Sequence, residues 1–462
     1  MLSLEKIFSK VLAKVKPSSQ EFVKEMGMAE ELIKKIYKIE GKHVSARLGG
    51  SLSRNTHLRG DRDIDLFLMF PEHLERKEFE KEGLRIGKEI FKGKHFEIAY
   101  SEHPYVRGTI DGFDVEVVPS FDIKSTADLK SSVDRSSFHT QYLLRKMREE
   151  QKDQVRLLKQ FLKGIGCYGA DLKQASFSGY LTELLILEYD DFENCLKKVS
   201  EWPKNAVLDF EKHLLKEEAL EKFRENFLIV IDPTDSSRNV AAAVSIQQMC
   251  RFIAAARAFL KKPSENFFFP KKQAPFPVRK VSTLVQKEGL IVLEIPFPKK
   301  ILPDIVWGII KRLARKIHSA LGEKDFTAIR CEAWTDEKHL VTIALDLQAN
   351  RLEQIFRREG PEVFNKLACE NFLKAHPHPI SGPRIEGSRW VIEELREQYL
   401  ATEFLKFLLA KLSKEEVKQF RSSLKKARVL NQKQILALYK KNRKFQEYFT
   451  KFLKGKEEFL EL

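Results

Sequence analysis

The sequence predicts an α+β chain of several domains: a head with a mixed sheet, a mostly helical centre, an α+β body and a helical tail. Three observations carry this. Short apolar runs bounded by turn residues crowd the first 140 positions. Apolar residues at helical spacing dominate 141–262. After a Pro- and Phe-rich connector at 263–277, the order strand, helix, strand, strand suggests a small α+β sandwich. The chain has 462 residues, which suits about two to four domains. An apolar fraction of 43%, with 34 Phe, is enough for several sizeable cores.

Each element has its own signal. Residues 1–40 read as two helices, the first marked by Leu4, Ile7, Phe8, Val11 and Leu12. Residues 44–48 are a short strand, followed by Gly49, Gly50 and Ser51. DIDLFLMF, 63–70, is a stronger strand, and Glu75 to Phe91 is helical. HFEIAY and VRGTI are strands, and the Asp111-Gly112 turn leads into FDVEVV, which Pro119 is expected to end. Residues 141–165 read as one long charged helix and 177–189 as a helix with one apolar side. A small strand-bearing segment is expected in 204–234, and 239–261 is Ala-rich and helical. GLIVLEIPF at 289–297 is a strand, 306–321 a helix, and FTAIRCEAWT and HLVTIALDLQ are strands. Residues 391–462 look almost wholly helical. These signals suggest domains at 1–140, 141–262, 263–390 and 391–462.

Charge and composition narrow the function. Lys and Arg number 82 against 66 Asp and Glu, a formal net charge of +16. From Lys411 onward 15 basic residues face 6 acidic ones, a net of +9. Such an excess suits a polyanionic partner or a solvated surface. No apolar run reaches 18 residues, so no membrane span is expected. The amphipathic opening lacks the apolar run and cleavage site of a secretory signal. The cysteines, at 167, 195, 250, 331 and 369, stand far apart and suggest neither a disulfide framework nor a zinc site. A reducing cytoplasm fits best.

The sharpest feature is GGSLSRNTHLRGDRDIDLF, residues 49–67. Side chains alternate faces along a strand, so Asp63 and Asp65 point one way while Ile64 and Leu66 point into a core. Adjacent carboxylates repel unless a cation lies between them, and hard oxygen ligands suit Mg²⁺. In DGFDVEVVP, Asp114 and Glu116 likewise share one face. If the two strands pair, three or four carboxylates meet at one edge, enough for two Mg²⁺ ions. The Gly-Gly-Ser turn adds backbone N–H groups and a hydroxyl that suit nucleotide phosphates. No GxxxxGK[ST] or HExxH sequence is present, which argues against a P-loop ATPase and a zinc protease.

The Gly-Ser turn followed by DxD resembles the nucleotidyltransferases of the DNA polymerase beta superfamily. The longer string GGSLSRNTHLRGDRDIDLFLMFP resembles, more narrowly, the archaeal, class I tRNA CCA-adding enzymes. AYSEHPYVRGTIDGFDVEVVP, SSVDRSSFHTQYL, VRLLKQFLKGIGCYGADLKQASFSGYLTELLI and IDPTDSSRNVAAAVS support that match. It covers roughly 40–260 and continues thinly to REGPEVF and GSRW before 390. The resemblance implies a polymerase-beta-like head that adds CCA to the 3′ end of tRNA without a template, from CTP and ATP. It implies Gly50, Ser51 and Arg54 at the triphosphate, and Asp63, Asp65 and Glu116 as catalytic ligands of two Mg²⁺ ions. The family usually has aspartate where Glu116 stands, and Asp114 is an alternative ligand. His139, Lys159, Tyr168 and Arg238 match positions near the triphosphate and base. The basic segment 411–462 would hold tRNA through its phosphates. Rival readings are another 3′-terminal transferase, such as a poly(A)-adding enzyme, or a catalytically silent RNA-binding protein. A homodimer is compatible with the sequence, though no interface is legible in it.

Overall fold

The computed structural model of the chain describes residues 4–40, 44–100, 102–271, 274–287, 289–299, 301–416 and 418–460. Residues 1–3, within the span the sequence reads as helix, and residues 417, 461 and 462 of the basic segment therefore lie outside the described residues. The chain forms two compact units, 1–271 with 457–462, and 272–456.

The first unit opens with α1 (Leu4–Val15) and α2 (Ser19–Glu40). Then come β1 (Ser45–Leu48), the one-turn helix α3 (Gly50–Ser53), β2 (Asp63–Phe70) and α4 (Arg76–Ile90). A meander of β3 (Phe96–Tyr100), β4 (Pro104–Ile110) and β5 (Phe113–Phe121) follows. The sheet order is β1-β2-β5-β4-β3, with β2 and β5 parallel and the other neighbours antiparallel. Strand periodicity explains its two faces. Ile64, Leu66 and Leu68 of β2 and Phe113, Val115 and Val117 of β5 enter one core with Leu32 and Ile36 of α2 and Phe79, Ile86 and Ile90 of α4. Each such side chain contributes about 1.5–3 kcal/mol by burial. The intervening acids of β2 and β5 are left on the opposite face.

Pro119 does not end the last strand. β5 runs on to Phe121, with Pro119 in register with Leu68 of β2. The β4 ladder stops at Val117, so Pro119 has a neighbour on one side only, and its missing N–H is tolerated as on an edge.

The same unit continues with α5 (Arg135–Lys146), α6 (Glu149–Gly164), α7 (Gly179–Tyr189), α8 (Phe192–Ser200), β6 (Ala206–Leu208) and α9 (Lys216–Lys222). It closes with β7 (Leu228–Asp232), β8 (Asp235–Asn239) and α10 (Ile246–Lys261). Phe161, Leu185, Phe192, Phe252, Phe259 and Phe268 centre a second core, which also takes Ile7, Val11 and Val15 of α1. The chain end returns here: Phe459 is buried in this core, and Glu457 pairs with Arg251 at 2.8 Å.

Three sequence expectations change. The long helix of 141–165 is two helices, because Met147 and Arg148 are extended and the Gln151 side chain accepts the Arg148 N–H to start α6. The helix of 177–189 has no exposed polar side over its middle: Leu181 to Ile186 are all buried, Glu183 among them. The Ala-rich helix begins only at Ile246, where the Ser245 hydroxyl caps it; residues 235–239 form β8 instead.

The second unit contains α11 (Val278–Leu284), β9 (Leu290–Pro296), α12 (Pro303–Gly322), β10 (Ala328–Thr335) and β11 (Leu340–Leu347). Then follow β12 (Ile355–Glu362), α13 (Lys366–Ala375), β13 (Ser381–Glu386) and β14 (Arg389–Leu395). It ends with α14 (Ala401–Glu415), α15 (Lys418–Leu424), β15 (Arg428–Leu430), α16 (Gln432–Lys441) and α17 (Arg443–Lys454). One sheet has the order β10-β11-β9-β15 and another β12-β14-β13. Residues 391–462 are thus not wholly helical: β14 is the centre of a sheet, and β15 adds to the edge of β9. Trp334 stacks on Tyr448 at 5.1 Å, and His376 pairs with Glu394 at 2.6 Å. The α+β architecture expected from the sequence is the one observed: a mixed-sheet head, a helical middle and an α+β and helical C-terminal region.

Candidate active site

The site begins with the parallel pairing of β2 and β5. Their register sets Asp63 opposite Asp114 and Asp65 opposite Glu116. Neighbouring strands lie about 4.8 Å apart, so the four carboxylates share one edge. Their ionisation shows the crowding. Burial raises Asp65 above the usual carboxylate range, and Asp63 beside it adds to the effect. Asp63 is raised by burial, then by Asp61 and Asp114. Glu116 is pushed up to about 7 by burial and the Asp65 charge, with Arg107 opposing. A cavity of about 520 Å³ opens beside this edge, lined in part by Asp63, Arg107, Asp114 and Glu116.

This donor set fits a hard divalent cation: its ligands are oxygens only, and Asp63, Asp65 and Glu116 are all raised by burial and then by neighbouring acids. Among the described residues no three His, Cys, Asp or Glu side chains form a ready-made cage. Mg²⁺ in phosphoryl-transfer sites takes one or two carboxylates and completes its shell with water and substrate phosphates.

The Gly-Gly-Ser turn lies directly against this edge. The Gly49 N–H donates to the Asp65 carbonyl at 2.9 Å. A Cβ on Gly49 would sit 2.2 Å from the Phe67 ring, and one on Gly50 would sit 1.8 Å from Asp65 Oδ2. Gly50 also has φ +64°, in the left-handed region. The two glycines are thus what allow Ser51 and α3 to stand next to Asp65.

Behind the turn the structure gives Arg54 a partner that the sequence did not suggest. Its Nε donates to Glu183 Oε1 at 3.1 Å and its Nη2 to Oε2 at 2.9 Å, a two-pronged grip on a fully buried carboxylate of α7. Its Nη1 reaches Thr140. All three of its nitrogens thus have a partner within the protein. Lys159 is also buried, donating to the Thr56 carbonyl at 3.1 Å with Glu183 3.7 Å away. The Thr56 hydroxyl donates to Glu183 as well. Burial lowers Lys159 to about 8. Burial works to raise Glu183, but Arg54 and Lys159 outweigh it and hold the carboxyl below its ordinary range. Tyr168 adjoins this group, with its hydroxyl and the Lys159 ammonium both beside Gly179 at the start of α7.

A second cluster gathers around Asp232, at the end of β7. Its carboxylate accepts from Arg238 Nη1 at 2.7 Å and from the Thr234 N–H at 2.9 Å, and it pairs with His139 Nε2 at 2.7 Å. The His139 ring stacks on Tyr180 at 4.0 Å. Burial would raise Asp232, but these partners hold it well below the usual carboxylate range. Burial lowers His139 against the pull of Asp232.

The structure therefore sorts the sequence candidates into three groups. Gly50, Ser51, Asp63, Asp65 and Glu116 meet on one face of the β2–β5 pair. Arg54, Lys159 and Tyr168 meet around Glu183, and His139 and Arg238 meet on Asp232. Sequence reasoning did not single out Glu183 or Asp232. The signal for Glu183 was an acid inside the apolar run LTELLIL; for Asp232 it was an acid closing the strand FLIVID.

Comparison with known proteins gives three family models in chain order. Residues 29–143 match the nucleotidyltransferase domain, 153–269 the second domain of tRNA nucleotidyltransferase, and 288–432 the C-terminal domain of the CCA-adding enzyme. The chain is 36% identical over 387 residues to the CCA-adding enzyme of Methanocaldococcus jannaschii, covering 81% of this chain and 85% of that one. It is 32% identical over 409 residues to that of Methanothermobacter thermautotrophicus, covering 87% and 88%, and 34% identical over 397 residues to that of Archaeoglobus fulgidus, covering 86% and 87%.

Two outcomes are expected. Glu183→Ala strands two buried cations and should destabilise the first unit by about 3–5 kcal/mol, measured by guanidinium unfolding; an unchanged midpoint would refute the clamp. Asp232 has a depressed folded pKa against an unfolded value of about 3.9. Its stabilisation is then complete above that value and is lost as pH falls through it toward the folded value. Asp232→Asn should flatten the fall of melting temperature between about pH 5 and pH 2, and an equally steep fall in the variant would count against this role.

Proposed function

The chain belongs to the CCA-adding enzyme family, and we propose that the edge formed by β2 and β5 is where it adds C, C and A to the 3′ end of tRNA from CTP and ATP. The observation that carries this placement is the register setting Asp65 opposite Glu116, directly beside the Gly-Gly-Ser turn. The reaction exchanges one P–O bond for another and releases one proton. The tRNA 3′ hydroxyl attacks the α-phosphorus and gives up its proton to solvent, the bond to the bridging oxygen of the β-phosphate breaks, and pyrophosphate leaves with that electron pair.

Asp63, Asp65 and Glu116 would hold two Mg²⁺ ions, which when bound supply charge neutralisation for the phosphates and a more acidic 3′ hydroxyl. Asp63 and Asp65 present their carboxylates from one strand, and Glu116 presents its own from the adjoining strand, opposite Asp65. The choice of Glu116 over Asp114 follows its place immediately before Val-Val-Pro, where the family's third carboxylate stands, and the register that sets it opposite Asp65. Gly50 and Ser51 lie beside Asp65 and would offer backbone N–H and hydroxyl donors to the β- and γ-phosphates.

Arg54 and Lys159 act from behind that turn. With Glu183 they amount to a net single positive charge, and they fix the turn against α7 in a fixed orientation. Tyr168 closes the same wall. His139 and Arg238 are held rigidly by Asp232, and the remaining donors of the Arg238 fork suit a phosphate or a base edge. Reading base identity needs such fixed donors, because a mobile guanidinium discriminates poorly. The basic residues from Lys411 onward would position the tRNA through phosphates. Among the described residues no helix is long and apolar enough to cross a membrane.

The rival transferase reading predicts an unbounded tail, and the silent-scaffold reading predicts no incorporation. Radiolabelled CTP and ATP with tRNA lacking its terminal bases should give products that stop after CCA. Asp63→Ala or Asp65→Ala should lower incorporation by at least about a thousandfold, with tRNA affinity changed less than about threefold. Retained incorporation in either purified variant would overturn the assignment of the site.

A further inference from the structure

We infer that Arg107, anchored by Glu97, is a positioning residue for Glu116, and that this pair is what allows a glutamate to serve at that place. The inference rests on the placement of the catalytic edge proposed above and adds a residue to it. β4 lies between β3 and β5, with Arg107 in register with Glu97 on one side and with Glu116 on the other. The three side chains therefore form a row across one face of the sheet. Arg107 Nε donates to Glu97 Oε1 at 2.7 Å, while its Nη1 stands 3.9 Å from Glu116 Oε1. The planar fork thus spends one prong on an anchor and aims another at the third carboxylate. Arg107 and Glu116 also line the same cavity of about 520 Å³ as Asp63.

β4 treats the second acid of β5 in the same manner. Thr109, in register with Asp114, donates to Asp114 Oδ1 at 3.1 Å. Each acid of β5 thus has a cross-strand partner on β4, but only that of Glu116 is a cation. Length makes the difference. Glutamate has one more rotatable bond than aspartate, so its carboxylate has more places to go unless something holds it. An aspartate at 116 would withdraw its oxygens by about 1.5 Å, the length of one C–C bond, out of reach of Arg107. Shortening Glu116 removes the need for the anchor and the contact with it.

A double-mutant cycle on the full chain tests this. The readouts are kcat and KM for CTP on tRNA lacking its terminal bases, and the dissociation constant of Mn²⁺, used in place of Mg²⁺, in the presence of CTP. Arg107→Ala should lower kcat about tenfold with KM for CTP within about twofold. It should also shift the Mn²⁺ constant about threefold or more. Arg107→Lys, which keeps charge and reach, should recover part of the loss, and Glu97→Gln should produce a smaller loss of the same kind. In the Glu116→Asp chain, Arg107→Ala should change either quantity by less than about twofold. Equal effects in both backgrounds overturn the inference. If Glu116→Asp itself stops turnover, the Mn²⁺ cycle decides by the same criterion. Asp65→Ala separates the two levels: lost Mn²⁺ binding there with an additive cycle leaves the metal site standing and removes only Arg107, whereas unaltered Mn²⁺ binding removes the site itself.

Discussion

The rest of the site depends on a repulsion built into the parallel pairing of β2 and β5. Backbone ladders fix the register, and the register brings Asp63, Asp65, Asp114 and Glu116 together whether or not their charges agree. On the other face, Ile64, Leu66, Val115 and Val117 are fully or almost fully buried. A slip of one residue would exchange the two faces and place carboxylates in the core. The hydrophobic face therefore holds the acidic one in a geometry it would not choose. Burial and this repulsion together raise Asp63, Asp65 and Glu116, and positive charge brought to the face would relieve both. Stability and ligand demand come from one alternating pattern.

Around this edge the head and the helical elements of the first unit are joined by buried charge rather than by apolar packing alone. Arg54 comes from the segment after α3, Glu183 from the middle of α7 and Lys159 from α6. Such a group is costly to bury, and well-packed apolar residues of the same volume are often no less stable. What it provides is orientation: a two-pronged Arg–carboxylate contact tolerates little rotation. The Asp232 cluster repeats the device around His139 and Arg238.

Much of this was readable in the chain. The strand DIDLFLMF was placed to the residue, because acids alternating with aliphatic residues leave only one strand facing. The meeting of two acidic strands followed from the same alternation, although their pairing had to be assumed. The partners of Arg54, Lys159, His139 and Arg238 were not readable. Arg54 and Glu183 are 129 residues apart, and no local pattern couples them. The sheet of β12, β13 and β14 was missed for a related reason. Strands such as IFRREGPE carry cross-strand ion pairs, among them Arg358 with Glu394, in place of an apolar alternation. Pro119 misled in the opposite direction: the rule that proline ends a strand presumes neighbours on both sides, and here one side is open.

The return of the chain end to the helical core has a consequence for biogenesis. Phe459 is buried beside Phe267, their ring centroids 6.0 Å apart, and Glu457 binds Arg251. A ribosome that has delivered residue 271 has released nearly all of that core but not its last ring. The second unit, 272–456, must be translated before the missing aromatic emerges. The nascent first unit therefore waits with an uncovered greasy notch while another globule is being made, a window in which a holdase has something to grasp.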